Sequence, residues 1–357
     1  MMDGKSGVTI LASLASILLT LDCKPKVEPV RLDSELSLMD LARQPIADLP
    51  ALRKSIATYA DDGRRSLVDL YRAQADLARR PGWLLEEIFS EKLTLADGAV
   101  VTLPSNVLRT TSRGPALWLL TGVHGEEPAG PNALAESLNV LADLERQGLP
   151  VVVMPLLNPL GYQRNWRYPD TAQYSQANPG ASVGDSDHLL PDDRGEPRRS
   201  TPACPQAEKL TSKVLALARD YPPLLALDLH EDNLLDKGYL YSQGALGAGD
   251  PLAGDLVRLF VSSQFPILLD GATRFGEKVR NGVVSGVNDG SIDELLSSSF
   301  VIVNHERRVG PSGKSVLVVE TSAKSTRLAD RKKVHAAVIA TLPALAQRAA
   351  RRFPQFR

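Results

Sequence analysis

The chain has 357 residues, with 41 Lys and Arg against 42 Asp and Glu, a formal net charge of -1, and 43% hydrophobic and 23% charged residues. The balanced charge excludes the basic footprint of a nucleic-acid-binding protein, and the two cysteines, Cys23 and Cys204, exclude a disulfide framework or a four-cysteine zinc module. No run reaches the roughly 18 apolar residues of a membrane-spanning helix, so no integral membrane span is expected.

Residues 1–30 contain Val8 to Leu21, fourteen mostly apolar residues after Lys5. That is the length of a signal-peptide core, but Asp3 offsets Lys5 and no small-x-small cleavage site precedes Asp22. The flanks favour a buried helix or strand, and a cytoplasmic chain, over export. Residues 31–88 read as a helical extension, with Leu67, Leu70, Tyr71, Gln74 and Leu77 in one stripe. Glu91 to Leu95 and Val100 to Leu103 flank Ala96-Asp97-Gly98 as a hairpin.

From residue 116 short apolar runs alternate with amphipathic segments. Ala116 to Leu120, Val151 to Leu156, Leu224 to Leu229 and Ser315 to Val319 read as strands buried on both faces. Ala129 to Arg146, Gln206 to Arg219, Leu252 to Ser263 and Leu328 to Arg351 read as helices. The alternation predicts a three-layer α/β/α domain over residues 89–350, with a central mixed, largely parallel sheet. Residues 168–205, with six prolines, three glycines and no periodicity, read as a lid loop.

Ligands of open α/β sheets bind beyond the C-terminal ends of the strands. The first apolar strand runs into His124-Gly125-Glu126-Glu127, and the third ends Asp228-Leu229-His230. Two histidines and a carboxylate at strand mouths suit a catalytic zinc, which keeps one position for water. Alternation in a strand puts Asp228 and His230 on one face, where the carboxylate would orient the imidazole. Glu320, directly after Val316 to Val319, is costly to bury without a partner and suits a general base beside a metal site. The second strand leads to Asn158-Pro159-Leu160-Gly161-Tyr162 and then to Arg164 and Arg167, cations available to a developing oxyanion. His305 and His335 read as structural.

These segments, in this order over residues 91–345, resemble the zinc carboxypeptidase superfamily, which also contains the aspartoacylase and succinylglutamate desuccinylase deacylases. The resemblance implies His124, Glu127 and His230 as ligands of one Zn2+, Glu320 as the catalytic glutamate and Arg167 as the carbonyl-polarising arginine. Asn158 and Gly161-Tyr162 resemble the family's Asn-Pro-Asp-Gly-Tyr turn, with Leu160 in place of the aspartate, and Asn158, Tyr162 and Arg164 are expected to contact substrate, as are Asp187 and His188. Gly184-Asp185-Ser186-Asp187-His188 stands where carboxypeptidases carry an Asn-Arg pair for the substrate's terminal carboxylate, so Asp187 and His188 replace that pair. Either Arg194, Arg198 or Arg199 then supplies the anchor, or the substrate's end is not a simple carboxylate. Gly290-Ser291-Ile292-Asp293 is similar to a stretch lining the family's specificity pocket, although the stretch also reads as a helix N-terminal cap beginning Ser291-Ile292-Asp293-Glu294. The implied function is a zinc metallocarboxypeptidase acting on peptides. The alternatives are an N-acyl amino acid deacylase and a non-catalytic zinc-binding member.

Overall fold

The computed structural model describes residues 36–43, 62–95, 98, 100–169 and 180–353. The apolar stretch Val8 to Leu21 lies outside these residues. The central sheet has nine strands in the order β1 (Leu36–Ser37), β3 (Val100–Thr110), β5 (Val151–Met154), β4 (Ala116–Thr121), β6 (Pro223–Asp232), β13 (Ser315–Ser322), β7 (Tyr239–Ser242) and β10 (Val283–Ser285). The ninth, β2 (Trp83–Thr94), pairs with β3. The four middle strands β5, β4, β6 and β13 are mutually parallel, whereas β3 and β7 run antiparallel to β5 and β13.

Period-two alternation explains the layering. Leu117 and Leu119, Val151 and Val153, and Leu225, Leu227 and Leu229 face one side. There they meet α3 (Ala129–Glu136), α4 (Leu138–Arg146), α7 (Pro251–Ser262) and α9 (Leu328–Arg352). Trp118, Leu120, Val152, Met154 and Ala226 face the other side, against α6 (Pro205–Asp220) and α8 (Ile292–Ser297). Both faces are apolar because both are covered by helices, which gives the expected α/β/α sandwich.

The structure differs from the sequence expectation in four places. Residues 31–88 are not a helical extension throughout: α1 (Leu38–Arg43) and α2 (Leu67–Ala78) are helical, but Trp83 already opens β2. Leu38, Leu67 and Tyr71 also share a core with Val101, Leu103 and Tyr162, so these two helices are built into the domain. The stretch Ala129 to Arg146 is two helices, because the Ser137 hydroxyl donates to the Ala133 carbonyl (2.8 Å) and bends the chain. The described part of the 168–205 loop is packed, with Val183, Leu189 and Leu190 buried in the core and the Ile302 N–H donating to the Leu189 carbonyl (2.9 Å). Last, β7, β10 and the hairpin β11 (Phe300–Val303) with β12 (Glu306–Val309) carry no signal that the sequence reading used.

Candidate metal centre

The C-terminal ends of β4, β6 and β13 bring the candidate residues together. Beyond β4 the chain turns at Gly122 (φ 68°), a left-handed conformation that favours glycine, and then presents His124 to Glu127 before α3. Gly125 sits flush on the start of α5 (Pro159–Arg164): a Cβ there would lie 2.0 Å from the Gly161 carbonyl carbon and 2.3 Å from the Trp166 oxygen. In β6, His230 stands directly opposite Glu320 of β13.

His124 Nδ1 lies 2.9 Å from Glu127 Oε1, and His230 Nδ1 lies 2.9 Å from Glu127 Oε2 and 3.2 Å from His124 Nδ1. The other ring nitrogen of His230 is 3.0 Å from Asp228 Oδ2. Two imidazole nitrogens thus face one carboxylate and each other, a cluster held either by protons on the rings or by a cation among the donor atoms. Burial and the Arg167 charge push the His124 imidazole down to about 4, leaving it in its neutral, ligand form at neutral pH. Burial opposes the charge on Glu127, but the two imidazoles outweigh it and hold the carboxyl well below its usual range. For His230 the Asp228 and Glu127 carboxylates outweigh burial and raise the imidazole well above its ordinary value. Two imidazoles and one carboxylate whose donor atoms all lie within 4.8 Å fit a zinc ion, the set expected of a catalytic site.

Glu320 Oε2 is buried without a hydrogen-bond partner. Burial, together with the Glu127 and Asp232 carboxylates, outweighs His230 and Arg167 and pushes its carboxyl up to about 8. Arg167 Nη1 lies 3.1 Å from both Glu126 Oε1 and Glu127 Oε1. A cleft of about 370 Å³ opens over these groups, lined also by Arg199, Tyr239, Tyr241, Arg274 and Asp293.

The five residues expected to contact substrate do not line this cleft. Asn158 caps α5, accepting from the Gly161 N–H (2.8 Å) and donating to the Arg167 carbonyl (2.9 Å), so it shapes the turn from behind. Tyr162 is fully buried and donates to the Arg65 carbonyl (2.8 Å), and Arg164 is exposed. Asp187 lies 3.5 Å from Arg198, and His188 Nε2 is 3.3 Å from Thr211 Oγ1. The apolar Val183, Leu189 and Leu190 enter the core, which turns the polar residues between them onto the scaffold. Arg198 is likewise taken, by Glu294, which leaves Arg199, 4.0 Å from Asp185, at the cleft. Ser291 caps α8, the helix cap expected to begin at Ser291-Ile292-Asp293-Glu294, while Asp293 lines the cleft, 3% exposed, its carboxyl raised well above its ordinary value by burial and by Asp228.

Sequence reasoning missed Tyr239, Tyr241 and Arg274. The tyrosines alternate in β7, a period-two signal that would have put both on one face. Arg274 follows the short strand β8 (Gly271–Ala272), which pairs with β9 (Lys278–Val279), and carries no local signal.

No protein-family model matches the chain, and no curated protein does. Solved structures do resemble it. A provisionally assigned metallopeptidase of Shewanella baltica is 20% identical, with a TM-score of 0.58 over 78% of this chain and 91% of that one. Its counterpart from Shewanella amazonensis is 22% identical, with a TM-score of 0.56 over 76% and 91%. Bovine thrombin-activatable fibrinolysis inhibitor, in complex with a tick carboxypeptidase inhibitor, is 14% identical, with a TM-score of 0.54 over 82% and 99%. The chain therefore shares the α/β fold of these structures.

Proposed function

We propose that this protein is a zinc-dependent metallocarboxypeptidase that hydrolyses amide bonds in peptides or peptide-like substrates. The observation that carries the reading is the convergence of His124 Nδ1, His230 Nδ1 and the Glu127 carboxylate at the base of a cleft, with Glu320 directly opposite His230. His124, Glu127 and His230 would hold the metal, whose chemistry in such a site is Lewis-acid stabilisation of negative charge developing on oxygen.

The chain's own residues supply the remaining steps. Glu320 Oε2, unpartnered at the cleft, accepts a proton from the attacking water and returns it to the leaving amine. The Asp228 carboxylate, 3.0 Å from Nε2 of His230, attracts that side of the ring while Nδ1 faces Glu127. Arg167 carries a permanent charge beside the site and donates to the carbonyl oxygen as the bond breaks. Arg199 and Arg274 are the cleft arginines available to a substrate carboxylate: Arg199 has one distant partner, and Arg274 has no carboxylate partner among the described residues, stacking instead on Phe275 at 4.6 Å.

The test is mass spectrometry of products from a pool of free-ended peptides, the same peptides amidated, and N-acyl amino acids, with the Glu320→Gln protein as blank. Loss of a terminal residue from the free-ended peptides alone supports the proposal. Cleavage of N-acyl amino acids instead assigns a deacylase. No turnover in the zinc-loaded protein assigns a non-catalytic zinc-binding role.

A further inference from the structure

Helix α3 begins directly after the His124–Glu127 turn, and its first turn lacks a cap of its own, because the N-cap residue is Pro128 and offers no side-chain acceptor. The acceptor comes from another strand. Glu231 of β6, the residue after His230, takes the Ala129 N–H on Oε1. Its own backbone N–H donates to Glu127 Oε2 at 3.1 Å. One residue therefore grips the turn at two points, on Glu127 itself and two residues beyond it. The second oxygen of Glu231 accepts from Nε of Arg331 on α9 at 2.6 Å, and Arg331 also donates to the Thr326 carbonyl. Both side chains are enclosed, with 1% of Glu231 and 9% of Arg331 exposed.

A buried carboxylate next to a metal-binding histidine carries a large desolvation cost, and an apolar residue of similar size would fill the space without it. What the apolar residue could not do is accept the Ala129 N–H. We infer that Glu231, neutralised by Arg331, is a positioning residue that caps α3 from β6 and so sets the spacing between the His124–Glu127 turn and His230. The inference rests on the proposed metal site, and it assigns to the C-terminal helix a part in metal affinity that its distance along the chain conceals.

Two double variants test it, both without charge at the pair, so neither leaves a buried charge unpaired. Glu231→Gln/Arg331→Met keeps an acceptor for Ala129, whereas Glu231→Leu/Arg331→Met removes it. Zinc affinity is read by competition with a chromophoric chelator, and the melting temperature of the zinc-free forms is recorded beside it. The Gln variant is expected to bind zinc within about threefold of the parent, and the Leu variant to bind about 10–100-fold more weakly, the range seen when outer groups supporting metal ligands are lost. Glu231→Asp, which keeps the charge pair but withdraws the carboxylate by one methylene, gives the same weakening and serves where the Leu variant does not fold. Equal zinc affinity in the two doubles, high or low, overturns the inference, as does unchanged affinity in Glu231→Asp. A parent protein that binds no zinc overturns the proposed function and the inference together.

Discussion

His335 offers a quantitative test of the polar interior behind the cleft. It sits in α9, fully buried, with Nε2 3.0 Å from Thr321 Oγ1 and Nδ1 without a partner. Burial, with the nearby positive charges of Arg331 and His230, pushes its imidazole down to about 3. In the unfolded chain the imidazole titrates near about 6.5 and takes up a proton below that pH, while in the folded chain it stays neutral down to about 3. The stability tied to this residue is therefore fully present above the unfolded value and is lost as the pH falls toward the folded one. Each pH unit inside that window costs about 1.4 kcal/mol, which amounts to about 2 kcal/mol between about pH 7.5 and about pH 5. Urea unfolding of zinc-free parent and His335→Leu proteins at the two pH values isolates the term, since the other carboxyls and imidazoles are common to both. The parent should lose about 2 kcal/mol more than the variant on acidification. Equal losses would refute the neutral, buried assignment of His335.

Further predictions follow from contacts at the site. Gly125→Ala places a methyl group against backbone on two sides, 2.0 Å from the Gly161 carbonyl carbon and 2.3 Å from the Trp166 oxygen, so the turn bearing His124 and Glu127 must move. The variant should lose about 1–3 kcal/mol in urea unfolding and most of its zinc on dialysis, and parental values in both would contradict the packing argument. Arg199→Gln/Arg274→Gln should raise KM for a free-ended peptide about tenfold or more, the worth of a charged hydrogen bond, and leave KM for its amidated form unchanged. An equal change for both peptides would dissociate these arginines from the substrate carboxylate.

The middle of the sheet was legible because it is buried on both faces. Runs such as Val151 to Met154 and Leu224 to Leu227 are continuously apolar, which a sheet covered by helices on both faces accommodates. The metal donors were legible for the same reason, since each follows such a run at a strand end. The edge of the sheet was not: β2 is exposed, half-exposed and buried by turns, and the charged Glu86 and Glu87 in it look like a helix surface. The substrate-facing residues were least legible. Asp187 and His188 lie in a segment without periodicity, and only the burial of Leu189 and Leu190 beside them shows which way their side chains turn. Arg331 is 100 residues from Glu231, a separation that no local pattern crosses.

The most direct test of the account is the zinc stoichiometry of apo-protein by isothermal titration, run on the parent, His124→Ala and Glu320→Gln. The account predicts one zinc per chain in the parent and in Glu320→Gln, which keeps the three donors, and none retained by His124→Ala. Zinc binding by His124→Ala equal to that of the parent would contradict the assignment of the metal to His124, Glu127 and His230.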